Sequence, residues 1–141
     1  MDHIIVRSND SEFDDAQINW DAFERHTALN RILSHWLGNH TAISVTEAAS
    51  IAAMQPAYFS RFFHRKVGVT FKYWIDFMRV HYAASLLHSA NRTVVELVDE
   101  CGFRDPTTFT RTFRRILGLT PLEFKRRRQP PPSDFAPTLL T

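Results

Sequence analysis

Arg61 and Arg65 stand four residues apart, and Arg111 and Arg115 repeat the pair fifty residues later. Each pair is interleaved with two phenylalanines at the same spacing, Phe59/Phe63 and Phe109/Phe113. On a helix, a step of four returns to the same face, while a step of two crosses to the other side. The rings and the guanidinium groups therefore occupy different faces of one amphipathic helix, the rings buried and the cations in water. A guanidinium is a rigid fork of donors. It matches two oxygens of a phosphate, or the two acceptors on the edge of a guanine. This is the chemistry of recognising a polyanion, with no bond made or broken. A solvated basic face is the plainer reading of the same residues.

Bond-breaking chemistry has little to work with. No nucleophile stands beside a base in a recognisable pattern, and no carboxylates are paired. The histidines (His3, His26, His35, His40, His64, His81, His88) show no metal-ligand spacing, and Cys101 is the single cysteine. Cys101 falls at a helix end beside Gly102 and reads as a buried apolar filler. No catalytic residue, metal or cofactor is expected, and the chain does not read as an enzyme.

Charge supports the polyanion. The formal net charge of +2 conceals an asymmetry: residues 1–40 carry seven acids and three bases, residues 41–128 seven acids and fourteen bases. A local excess of Arg and Lys suits nucleic acid. "MDHIIVRSND" is not a secretory leader, and no apolar run is long enough to span a bilayer. One cysteine cannot form an internal disulfide, so a reducing cytoplasm is the expected compartment.

The elements that position these residues are written in a repeated grammar. Ser44-Val-Thr-Glu47 and Thr93-Val-Val-Glu96 are capping boxes, in which hydroxyl and carboxylate satisfy each other's backbone amides. They predict short helices from Val45 to about Ala53 and from Val94 to about Cys101. After a brief turn, Pro56 and Pro106 take the first helical position, where a missing N–H costs nothing. The arginine-bearing helices then run 56–67 and 106–117. Leu29, Ile32, Leu33, Trp36 and Leu37 form the stripe of a supporting helix that stops near Gly38-Asn39. Between the repeats, residues 70–89 read as one long helix. Its apolar side is Trp74, Ile75, Met78, Tyr82, Ala83, Leu86 and Leu87, and its polar face Lys72, Asp76 and Arg79. Thr120-Pro-Leu-Glu123 is a third capping box and starts a last short helix.

The expected fold is all-α: two helix-turn-helix subdomains, each a homeodomain-like three-helix unit, joined by a long linker helix. The divisions are an acidic, weakly ordered segment (1–20), a first subdomain with its supporting helix (21–69), the linker (70–90), a second subdomain (91–129) and a Pro-rich tail (130–141).

Residues 44–128 resemble the DNA-binding domain of the AraC/XylS family of transcription regulators. The resemblance is carried by Ala49, Pro56, Tyr58, Phe59, Ser60, Arg61, Phe63, Gly68 and Thr70 in the first unit, and by Trp74, Arg79, Ala83, Leu86 and Leu87 in the linker. In the second unit Gly102-Phe103, Asp105, Phe109, Arg111, Phe113, Gly118, Thr120-Pro121 and Phe124 carry it. It implies that the exposed face of each third helix reads bases in the major groove of double-stranded DNA. By position, Ala57, Ser60 and Arg61 are the first reader, and Pro106, Thr107, Thr108 and Arg111 the second. His64, Arg65, Arg114 and Arg115 lie further along and are expected on phosphates, which position without reading sequence.

Three places depart from the pattern. Ala53 stands where a turn glycine is usual, Gln55 where serine would cap better, and Val98-Asp99 where a small apolar start is usual. The stretch before the first unit is too short for the sensing or dimerisation domain most members carry, so the chain resembles the stand-alone members, set by abundance rather than an effector. The function expected is a cytoplasmic transcription regulator that acts as a monomer on DNA and, from the resemblance alone, activates by touching RNA polymerase. The competing reading is a protein-interaction module that keeps the fold and binds polymerase or another regulator.

Overall fold

The computed structural model describes residues 17–40, 42–89 and 92–127; the tail 130–141 and most of the acidic segment lie outside them. The regular structure of the described residues is all helix, with no strand among them. The order is α1 (Asp21–Arg25), α2 (Thr27–Asn39), α3 (Val45–Ile51), α4 (Pro56–Val67), α5 (Phe71–Ser89), α6 (Val94–Glu100), α7 (Pro106–Leu117) and α8 (Pro121–Arg127). Helices α2–α4 form one three-helix unit and α6–α8 a second, with α5 between them.

Local chemistry starts most of these helices. At all three capping boxes the hydroxyl accepts from the backbone N–H three residues on, and the Glu carboxylate accepts the N–H of the cap residue: Ser44/Glu47, Thr93/Glu96 and Thr120/Glu123. Thr70 Oγ1 accepts from Tyr73 N–H at 3.1 Å and opens α5. α4 and α7 begin on the prolines and end at Gly68 and Gly118, both left-handed. A Cβ at Gly68 would stand 2.7 Å from the Gln17 carbonyl oxygen, so glycine there serves both the backbone turn and a close approach.

The rings fill the core as the four-residue spacing requires. Phe59, Phe63, Phe109 and Phe113 have no exposed surface. In the first unit Phe59 and Phe63 meet Phe71 edge-on, and Phe63 tilts against Trp74. In the second, Phe109 lies between Phe103 and Phe113, and Phe113 touches Phe124.

The structure adds to and corrects the sequence reading in three places. α1 carries too few residues for a periodic signal. It exists because Ala22 and Phe23 are buried, Phe23 stacking on Trp74 with ring centroids 5.1 Å apart. Just before it, Ile18 is buried, and Asn19 donates its backbone N–H to Val67 O and its side-chain Nδ2 to Lys66 O. These bonds satisfy carbonyls that the end of α4 leaves open. The second concerns the turns. Ala53 adopts φ 59°, the left-handed conformation that Gly102 (φ 79°) adopts in the second unit. The first turn is as sharp as the second, and its side chain bears a strain of about 1–2 kcal/mol. The third concerns the polar face of α5: Lys72, Asp76 and Arg79 do share it, Asp76 accepting from both cations, but Asp76 and Arg79 are buried. They are 1% and 8% exposed, because α5 is covered on that side by the second unit.

Candidate nucleic-acid interface

The exposed faces of α4 and α7 are built alike. Burial of Phe59, Phe62, Phe63 and Val67 leaves Ala57, Ser60, Arg61, His64 and Arg65 in solvent along α4. Burial of Phe109, Thr112, Phe113 and Ile116 leaves Pro106, Thr107, Arg111, Arg114 and Arg115 in solvent along α7. The residues placed first along each helix are those expected to reach bases, and the cations of the last turns follow. Cations at a helix C-terminus also meet the negative end of the helix dipole.

Around α7 the exposed face borders an open groove of about 700 Å³, lined by Pro106, Thr107, Thr110, Arg111, Arg114, Arg115 and Thr120. Hydroxyls, a methyl-bearing threonine edge and three guanidinium groups meet there. This is a donor-rich surface that suits phosphates and the acceptor-rich edges of bases.

Two expected residues have partners within the protein. Thr108 is half-buried and engaged with Asp105: its N–H donates to Oδ1 at 2.7 Å and its hydroxyl to Oδ2 at 3.2 Å. Those bonds, the backbone one first, hold the Asp105 carboxyl below the ordinary carboxylate range. Arg115 donates to Asp76 Oδ2 at 3.1 Å while half of its side chain stays exposed. In α4 no such cap forms, since the Gln55 side chain makes no capping bond.

Sequence reasoning passed over Thr110. It lines the groove beside Arg111, and it stands fifty residues after Ser60, so the fifty-residue repeat, applied to the Ser60 that the resemblance supplied, could have found it. Tyr58, the position equivalent to Thr108, is exposed in the first turn of α4 and stacks on Phe62. Asp76 had no signal for its buried role, and Arg79 had only its place among the residues that carry the resemblance, because burial by a distant unit leaves no mark on local periodicity.

The surface offers binding rather than covalent chemistry. Burial pushes the Cys101 thiol up to about 12, so it is neutral and unreactive at ordinary pH. Among the described residues no group of His, Cys, Asp or Glu side chains could hold a metal ion, and no helix is long and apolar enough to cross a membrane.

A family model described as a helix-turn-helix domain matches residues 48–127. The chain is 30% identical to the DNA-binding domain of AdpA, a global transcriptional factor solved in complex with a target DNA. The match covers 72% of this chain and 88% of that one, with a TM-score of 0.63. It shares its fold, at 22% identity and a TM-score of 0.67, with a transcriptional regulator of AraC type from Chromobacterium violaceum, over 74% and 95% of the two chains. Among curated sequences it is 26% identical over 114 residues to the transposon Tn10 TetD protein of Escherichia coli, covering 79% of this chain and 83% of that one. It is 24% identical over 88 residues to the melibiose operon regulatory protein of Escherichia coli, covering 62% of this chain and 29% of that protein. The chain thus spans under a third of the length of that larger regulator.

Proposed function

The chain belongs to the AraC-type helix-turn-helix family of DNA-binding transcription regulators, and from that premise we propose that it binds double-stranded DNA sequence-specifically through α4 and α7. The observation that carries the reading is the matched register of two exposed faces, each with an arginine (Arg61, Arg111) one helical turn beyond its first-turn residues. Ala57, Ser60 and Arg61 form the first reader, and Pro106, Thr107, Thr110 and Arg111 the second. Thr108 acts through the cap it makes with Asp105. His64, Arg65, Arg114 and Arg115 take phosphates.

The protein acts as a monomer on DNA, because its two readers are already linked in one chain and differ in sequence. It works in the cytoplasm, where Cys101 stays reduced. It activates transcription through contact with RNA polymerase, as its resemblance to the family suggests. Selection of binding sites from a random duplex pool, followed by gel shifts against unselected competitor at fixed salt, tests the reading. Enrichment of two unlike sequence blocks is the expected result. Recovery of no preferred sequence, with polymerase or another regulator captured instead, would replace it with the protein-interaction module.

A further inference from the structure

The linker helix meets the two units by different chemistry. Toward the first it presents rings, with Phe71 edge-on to Phe59 and Phe63, and Trp74 stacked on Phe23. Toward the second it presents charge. Asp76 Oδ1 accepts from Arg79 Nη2 at 2.8 Å, and Oδ2 accepts from Lys72 Nζ at 2.8 Å and from Arg115 Nη2 at 3.1 Å. Arg79 also donates through Nη1 to the Gly102 carbonyl at 2.6 Å and lays its guanidinium 4.1 Å above the Phe103 ring.

The places these bonds reach are informative. Gly102 and Phe103 form the turn that leads into α7, and Arg115 lies in the last turn of α7. The Asp76–Arg79 pair therefore holds α7 at two points, before its start and near its end, and two points define the direction of a rod. Ring packing alone is weakly directional and tolerates small rotations. A forked guanidinium with three simultaneous partners does not, and neither does a buried carboxylate whose two oxygens are held by three cations at fixed positions.

We propose that Asp76 and Arg79 are positioning residues that set the aim of α7, and so determine how sharply the second unit discriminates bases without touching DNA themselves. This rests on the reading of α7 as a base-reading helix. Sub-ångström aim matters there, because a bidentate contact to a base edge loses its value when the donor fork is tilted. Arg115 belongs to both systems: Asp76 holds one of its nitrogens, and its exposed part is presented toward the backbone of DNA.

The test compares wild type with Arg79→Lys and Asp76→Asn on a selected site in which each base pair is substituted singly. Thermal unfolding is recorded first to establish that the variants fold. Arg79→Lys keeps a positive charge for Asp76 but cannot reach Gly102 and cover Phe103 at once. Mismatch penalties in the block read by α7 should shrink from roughly tenfold to under about threefold, while those in the block read by α4 stay as in wild type. Without DNA, amide hydrogen exchange across residues 101–108 should quicken by at least about tenfold in both variants, with α4 unchanged. Should Asp76→Asn fail to fold, Arg79→Lys alone carries the comparison. Equal flattening of both blocks, or unchanged penalties in the second, overturns the proposal. If wild type itself shows no base preference, the regulator reading falls, and the exchange measurement decides whether Arg79 holds the turn.

Discussion

The arginines of α7 are chemically identical and differ only in what surrounds them. Arg111 stands free above the first two turns, Arg114 is exposed in the last turn, and Arg115 is bonded to a buried aspartate. Replacing Arg111 with alanine should cost about 1–3 kcal/mol at one base position and little elsewhere, measured as a flattened preference in a single-substitution series. Arg114→Ala should instead weaken binding to every sequence alike and lower the slope of log K against log salt by about one. Arg115→Ala is the less clean probe of phosphate contact, because it also strips a cation from Asp76. An Arg111 variant that loses affinity evenly across all sequences would place that side chain on the backbone.

At the scale of the element, the two turns and the two caps make a natural comparison. Ala53 and Gly102 share a left-handed backbone, and only glycine adopts it without strain. Ala53→Gly should therefore raise the urea midpoint, by about 1 kcal/mol of stability, and Gly102→Ala should lower it by about 1–2 kcal/mol. A destabilising Ala53→Gly would mean that its methyl contributes more in packing than the strain removes. The caps respond to pH. Asp105, Glu96 and Glu123 all titrate below the ordinary carboxylate range, chiefly through the backbone N–H groups of Thr108, Thr93 and Thr120. A carboxyl depressed on folding stabilises the fold above its unfolded pKa, and that stability is lost as pH falls through the folded value. The resistance of wild type to urea should thus fall as pH drops from about 5 through the depressed folded values, and Asp105→Asn should lose less over the same interval. Equal losses in the two proteins would show that the Asp105 cap has no part in the acid response.

For the whole molecule, the spacing between readers is what matters. The 19 residues of α5 span roughly 28 Å, against the ~34 Å between successive major grooves on one face of DNA. A linker packed into both units fits straight DNA imperfectly, so binding should bend the duplex or leave one reader loosely engaged. The first unit is the one expected to slacken, with its strained turn, uncapped α4 and small Ala57 and Ser60 side chains. Inserting five base pairs between the two blocks turns one of them to the opposite face, and should remove the contribution of that block. Undiminished affinity on such a site, with two chains bound to a symmetric one, would rule out a monomer reading two grooves.

How much of this was legible beforehand depends on the range of the interaction. Capping boxes, N1 prolines and four-residue ring spacing act within one or two turns, so α4 and α7 could be bounded to the residue, and the exposed faces of Arg61 and Arg111 followed from where the rings had to go. The fifty-residue register is also a property of sequence, and carried from Ser60 it would have found Thr110, which the reading by resemblance passed over. What no local pattern carries is the pairing of distant surfaces. The fold of 17–25 onto α4 and α5 came from Ile18, Ala22 and Phe23 finding a hydrophobic face supplied by residues forty and more positions away. Asp76 and Arg79 sit at a spacing that suits a solvated helix face equally well. Only the docking of the second unit against α5 removed them from water, and a carboxylate out of water must gather cations, here Lys72, Arg79 and Arg115.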